Sequence, residues 1–218
     1  MSSARIDVVM MATVEIEHYA GATKRMWRSY ADRHGYAFAV YDTVARPDLH
    51  INWSKIEHGR RHLRGTACDW MIVTDADSAV HDREKRLEEL VCLPGNPSLV
   101  FSADVARRWG MSFPLNPRSV METRQWVLPN AGFFAVRNDA VGQAFMEEWM
   151  ELATGAMAHL ADRVPRDQLV LWLGLLPKWR QQLGILGPEV VRVLNDRHWR
   201  HLLKYESNIF VRHDKRFK

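Results

Sequence analysis

Residues 69–80 read Asp-Trp-Met-Ile-Val-Thr-Asp-Ala-Asp-Ser-Ala-Val. An apolar run of strand length ends in two carboxylates, Asp75 and Asp77, one residue apart. Side chains alternate across a strand, so residues i and i+2 point the same way and both carboxylates can face one site. Hard oxygen ligands so placed suit Mg²⁺ or Mn²⁺, and an ion held there would neutralise a diphosphate. The plainer alternative is a pair of solvated acidic residues in a turn after a strand.

Working outward, Ile6 to Thr13 is a short apolar run of strand length, and Tyr19 to His34 has the apolar spacing of a helix with a stop at Gly35. Ala37 to Tyr41 predicts a second strand, Lys55 to Arg64 a second helix, and Trp70 to Thr74 a third strand. This βαβαβ order predicts a parallel sheet. In such sheets the ligand crevice lies beyond the carboxyl ends of the strands, which places Thr13, Asp42 and the Asp75/Asp77 pair around one cleft. Neither a Gly-x-Gly-x-x-Gly nor a Gly-x-x-x-x-Gly-Lys-Ser/Thr run follows the first strand, so a phosphate would be held by a metal and side chains.

Further on, Arg83 to Leu90 reads as a short helix and Ser98 to Ala103 as a fourth strand. Residues 107–129 lack periodicity and carry Trp109, Phe113 and Trp126, which suggests a long functional loop such as a lid or an apolar acceptor wall, or ordinary core under a loop. Asn130 to Val136 returns to strand character. Val141 to His159 predicts a long helix with Phe145, Trp149 and Leu152 on one face. After Pro165 a helix opens at Asp167 and Gln168 and runs through Leu169 to Leu176; two strand-like runs, Val190 to Leu194 and Asn208 to Val211, precede His213.

The chain has 218 residues and no Pro/Ser/Gly-rich linker, so one domain is expected. Its hydrophobic and charged fractions are ordinary for a soluble protein, whereas nine Trp are an excess that favours either a core or sugar-facing surfaces. A net charge of +4 is spread without blocks of one sign, which argues against generic nucleic-acid binding and fits a mildly basic cleft for phosphate-bearing small molecules. The two cysteines, Cys68 and Cys92, have no metal-ligand spacing and suggest a reducing compartment, with cytoplasm as the default. Neither a signal-peptide pattern nor an apolar stretch of membrane-spanning length is present.

Several motifs occur in order: Ala-Asp-Arg-His-Gly-Tyr at 31–36, Trp-Ser-Lys-Ile at 53–56, Asp-Ala-Asp-Ser at 75–78, Asn-Ala-Gly-Phe-Phe-Ala-Val-Arg-Asn at 130–138, Asp-Gln at 167–168, and a late His213. Together they resemble a GT-A glycosyltransferase, in particular the family of fungal α-galactosyltransferases and plant xyloglucan xylosyltransferases, with a more distant similarity to glycogenin-like enzymes. The resemblance spans nearly the whole chain. It implies an α/β fold: a single GT-A (Rossmann-like) domain over residues 1–218 with a mostly parallel central sheet flanked by helices. Residues 1–105 would form the nucleotide-binding half and 106–218 the acceptor and metal-completing half.

The activity implied is metal-dependent transfer of a sugar from a nucleoside-diphosphate sugar, a UDP-sugar, to an acceptor hydroxyl on a small molecule or glycan, with retention of configuration. Asp75, Asp77 and His213 would hold Mn²⁺ (or Mg²⁺), although by its neighbours alone His213 is a surface residue in a basic tail. Lys55 matches a helix-start lysine beside the nucleotide, the alternative being a solvated lysine on an amphipathic helix. Lys215 is a further cation for the diphosphate. Asn130 and Gly132 would present a polar amide and a close backbone approach to the sugar, the alternative being a strand start with a bulge. Asp167 and Gln168 match an acidic-Gln pair near the donor sugar, where a carboxylate opposes positive charge in the transition state; a helix N-terminus favours such a carboxylate in any case. Asp104 is an acceptor-side candidate or a helix cap. Thr13, Tyr19 and Asp42 would meet base and ribose, with Tyr19 stacking on a base or packing in the core.

Three other readings compete. A nucleotidyltransferase needs a Gly/Lys-rich phosphate loop after the first strand, which residues 10–15 do not supply, and a haloacid-dehalogenase-type phosphatase carries its Asp-x-Asp on the first strand. A non-catalytic nucleotide-sugar-binding module would keep the fold without turnover. Members of the family it resembles usually carry a membrane anchor and a larger catalytic region, so the smaller size leaves the acceptor open.

Overall fold

The computed structural model describes residues 4–104, 128–187, 190–194 and 211–214. Strands β1 (Ile6–Met11), β2 (Ala37–Tyr41), β3 (Trp70–Asp75), β5 (Leu99–Ala103), β6 (Pro129–Arg137) and β7 (Leu183–Leu186) form a six-stranded sheet in the order β2-β1-β3-β6-β5-β7. A second sheet has the order β4-β9-β8, from Ser78–Val80, Val211–Asp214 and Val191–Leu194. β1 pairs in parallel with β2 and β3, and β5 with β7, while β6 runs antiparallel to both its neighbours. The sheet is therefore mostly parallel, as expected.

Both faces of this sheet are covered, which is why β1 and β3 read as continuous apolar runs instead of alternating ones. On one face Val8, Met10 and Ile72 pack with Trp27 and Tyr30 of α1 (Glu17–His34). On the other, Val9, Met71 and Val73 meet Trp53, Ile56 and Leu63 of α2 (Asn52–Gly65) and Phe145, Met146 and Trp149 of α4 (Ala140–Thr154). Fully burying side chains such as Ile56, Leu63 or Phe145 stabilises by roughly 1.5–3 kcal/mol each, and that fixes α2 and α4 against the sheet.

Local signals behave as their chemistry dictates. Gly35 ends α1 in the left-handed region at φ 75°, and the Tyr36 N–H returns to the Ala31 carbonyl at 3.0 Å. Asp139 caps α4 by accepting from the Gly142 N–H at 2.8 Å. The helix expected over 141–159 ends at Thr154, because residues 155–157 turn before the short α5 (Ala158–Ala161). The helix expected over 83–90 is reduced to α3 (Glu88–Val91). The run after Pro165 becomes α6 (Asp167–Val170), a π-helical turn over Leu171–Leu175, and α7 (Leu176–Trp179).

Of the strand-like run expected over 208–211, residues 208–210 lie outside the described residues; β9 covers Val211–Asp214 and so includes His213. No helix among the described residues is long and apolar enough to cross a membrane. The loop expected over 107–129, with Trp109, Phe113 and Trp126, lies almost wholly outside the described residues; only 128 and 129 are described, and Pro129 opens β6.

Candidate active site

At the carboxyl ends of β1 and β3 lies a cavity of about 520 Å³, lined by Met11, Thr13, Tyr19, Lys55, Asp75 and Asp77, among others. This volume falls in the range of small-molecule sites, roughly 300–1,000 Å³. Asp75 and Asp77 do face one space, but for a reason other than strand pleating. β3 ends at Asp75, and a turn through Ala76 and Asp77 leads into β4. β4 pairs with β9 in a register that sets Ser78 opposite His213. The backbone of His213 thus runs beside the residue that follows Asp77; its side chain, like Lys215, lies outside the described residues.

Lys55, in the first turns of α2, is buried, which excludes the solvated-helix alternative. Its Nζ donates to Asp75 Oδ1 at 2.7 Å and to the Ala131 carbonyl at 2.8 Å, and lies 3.2 Å from Asp167 Oδ2. Burial alone would lower the ammonium's pKa, but the charges of Asp167 and Asp75 outweigh it and hold the pKa well above the usual lysine range. Lys55 therefore stays charged and joins three chain segments that the sequence leaves far apart.

A second knot follows from an irregularity in the β5–β6 ladder. Phe101 pairs with Phe134 and the adjacent Ser102 pairs with Asn130, so residues 131–133 bulge out of register. Backbone groups released by the bulge need partners. Gln168 Oε1 accepts from the Ala131 N–H at 2.9 Å, Asn130 Oδ1 accepts from the Gly132 N–H at 2.7 Å, and Ser102 Oγ donates to the Phe133 carbonyl at 3.0 Å. Asp104 Oδ2 accepts from Asn130 Nδ2 at 3.2 Å and from Gln168 Nε2. Asp104, Asn130, Asp167 and Gln168 are all buried. The bulge expected as the alternative for Asn130–Gly132 is present, and it is what gathers these side chains.

Tryptophans tie the same segments down. The indole N–H of Trp149 donates to the Asp167 carbonyl at 3.0 Å, that of Trp172 to the Pro129 carbonyl at 2.7 Å, and that of Trp27 to the Ser78 carbonyl at 2.7 Å. For these three residues the Trp excess serves the core beneath the site. Tyr19 lines the cavity, and its phenol pKa is raised by burial and by the nearby charges of Asp77 and Asp75. Asp42 is exposed just past β2 and does not line the cavity. The wall expected from it comes from His50, Ile51 and Asn52, at the start of α2, and His18 adds a further side chain from α1. None of these four stood out in the sequence, because each is a lone polar or apolar residue outside any motif.

Immediately before Asp167 the backbone is strained. The Gln168 N–H closes a turn onto the Pro165 carbonyl at 3.2 Å, with Arg166 at its second position at φ 57°, ψ −109°. That conformation belongs to glycine, and a side-chain-bearing residue held there costs on the order of 1–3 kcal/mol.

The family model for the galactosyl transferase GMA12/MNN10 family matches residues 7–211. The chain belongs to that family. As a member it is an enzyme that transfers sugars. No curated protein sequence matches the chain. A glycosyltransferase involved in the glycosylation of the major capsid of PBCV-1 shares the fold with a TM-score of 0.68 at 16% identity, over 96% of this chain and 93% of that one. The galactosyltransferase LgtC, solved in complex with donor and acceptor sugar analogs, aligns with a TM-score of 0.56 at 13% identity, over 95% and 86% of the two chains. Mouse xyloside xylosyltransferase 1 aligns with a TM-score of 0.56 at 12% identity, over 97% of each chain. At these identities the likeness is one of fold: this family member has the GT-A architecture.

Proposed function

We propose that the cavity binds a nucleoside-diphosphate sugar, a UDP-sugar, with a divalent cation, and that the enzyme passes the sugar to an acceptor hydroxyl on a small molecule or glycan with retention of configuration. The observation that carries this reading is the convergence of Asp75 and Asp77 on one cavity that Tyr19 and Thr13 also line. The donor set fits a hard or borderline cation: two carboxylates share the cavity, and their charges are felt together at the Tyr19 phenol. No group of three or more His, Cys, Asp or Glu suited to a metal occurs among the described residues, so the third protein ligand proposed is His213, carried by the strand beside Ser78.

When bound, Mn²⁺ or Mg²⁺ would supply charge stabilisation to the leaving diphosphate. The chain's own groups do the rest. Lys55 fixes the orientation of Asp75 and Asp167 and keeps a permanent positive charge next to the site. Asp167 sets a carboxylate where positive charge grows on the sugar, and Gln168 and Asn130 hold the bulged backbone against which the sugar lies. Retention is part of this reading; inversion would instead need a base, either Asp167, which Lys55 engages, or Asp104, whose Oδ2 is held by Asn130 and Gln168.

The test is thermal shift with a panel of nucleotide sugars and Mn²⁺ on the wild type and on Asp77→Ala. A ligand at about one hundred times its dissociation constant stabilises by about 2.7 kcal/mol, a rise of roughly 5–11 °C for a chain of this size. Stabilisation by a UDP-sugar that vanishes in Asp77→Ala supports the reading; no response to any nucleotide sugar with metal present defeats it.

A further inference from the structure

Arg166 sits at the second position of the turn that delivers Asp167 and Gln168, in a conformation natural to glycine and avoided by residues with a Cβ. A turn kept for its shape alone would carry glycine there. The second observation is independent of the first: Arg166 Nε is buried and has no hydrogen-bond partner among the described residues. Guanidinium N–H groups are strong donors, and buried donors are as a rule satisfied, so an unsatisfied one points to a missing acceptor. The residue as a whole is only half-buried, which leaves it reachable by a ligand.

Charge identifies that acceptor's chemistry. Asp167, the next residue, shares the single ammonium of Lys55 with Asp75, so two carboxylates are served by one cation there. A negatively charged molecule entering beside Asp167 is repelled unless another cation receives it. We propose, resting on the glycosyltransferase reading, that Arg166 is a specificity-determining residue that selects an acceptor carrying a carboxylate or phosphate close to the hydroxyl that receives the sugar. The planar guanidinium offers Nε and one Nη side by side, matching two oxygens of such a group.

The experiment is calorimetric binding of glucose, glucuronate and glucose 6-phosphate to the protein with UDP and Mn²⁺, for wild type, Arg166→Gly and Arg166→Ala. The wild type should bind at least one of the two anionic sugars ten-fold or more tightly than glucose, and which of them it prefers separates carboxylate from phosphate. Arg166→Gly relaxes the turn, so it should melt at or above the wild-type temperature and bind UDP unchanged, yet discriminate among the three sugars by less than two-fold. Arg166→Ala should lose the same discrimination while melting lower, which separates recognition from backbone shape. Equal binding of the three sugars by wild type, binding of none of them while UDP binds, or retained discrimination in Arg166→Gly overturns the proposal. Absence of UDP binding to wild type would instead defeat the UDP-sugar reading on which this proposal rests, and this proposal with it.

Discussion

Replacing Lys55 with Met tests the structural centre of the site. The ammonium is buried, donates to Asp75 Oδ1 and to the Ala131 carbonyl, and lies 3.2 Å from Asp167 Oδ2. Methionine is close in volume and leaves no large void, so the loss is electrostatic: two carboxylates and a carbonyl oxygen remain without their cation. Breaking a buried pair by removing one partner costs about 3–5 kcal/mol, which for a chain of this length lowers Tm by roughly 6–20 °C. Urea unfolding at pH 7.5, with the slope unchanged, should show that loss.

The pH dependence has a definite sign. In the wild type the raised Lys55 pKa stabilises fully below the ordinary lysine value of about 10.4 and is lost only as pH rises through the higher folded value, so this group adds no pH dependence between 5 and 8. In Lys55→Met the deficit should shrink toward acid pH, where protonation removes the uncompensated negative charge. Adding Asp167→Asn to Lys55→Met should recover part of the loss in a double-mutant cycle. A Lys55→Met protein within 1 kcal/mol (about a five-fold change in the folding constant) of wild type at pH 7.5 would refute the reasoning.

Three further outcomes follow from named contacts. A Cβ at Gly142 would lie 1.9 Å from the Arg137 carbonyl oxygen and 2.7 Å from Val136 Cγ1, so Gly142→Ala should destabilise by roughly 1–3 kcal/mol or more in urea unfolding. Gln168→Ala leaves the buried Ala131 N–H without its acceptor and should cost about 1–3 kcal/mol, together with most of the transferase activity, measured on the same preparation. Burial and the Glu88 carboxylate push the Tyr36 phenol up to about 12, and burial also raises Tyr30. Raised values stabilise the fold below the ordinary tyrosine pKa, so Tm should fall as pH climbs from about 10 to 12, and less steeply in Tyr36→Phe.

Much of the fold was legible because its signals are local. The βαβαβ order, the Gly35 stop and the apolar face of Phe145 and Trp149 depend on periodicity and capping, which neighbours in sequence determine. The reversed direction of β6 and the small β4-β9-β8 sheet were not legible, since each joins segments far apart in the chain. Asp75 and Asp77 could be paired from the sequence, although a turn and not the pleat brings them together. The roles of Lys55 and Gln168 in holding the bulge were hidden, because a bulge leaves no pattern of its own in a single strand. Asp42 illustrates the converse: proximity to a strand end did not bring it into the cavity, and the following loop reaches there instead. Arg166 stood outside every motif because its significance lies in a dihedral angle and not in its residue type.

The central claim is that the Asp75/Asp77 pair holds a divalent cation in a nucleotide-binding cleft. Mn²⁺ titration followed by electron paramagnetic resonance of the free ion, with and without UDP, measures this without any acceptor. The account predicts that wild type removes one equivalent of Mn²⁺ from solution, more tightly when UDP is present, and that Asp77→Ala removes none under the same conditions while keeping its fold. Equal Mn²⁺ uptake by wild type and Asp77→Ala, or no uptake by wild type with UDP present, would contradict it.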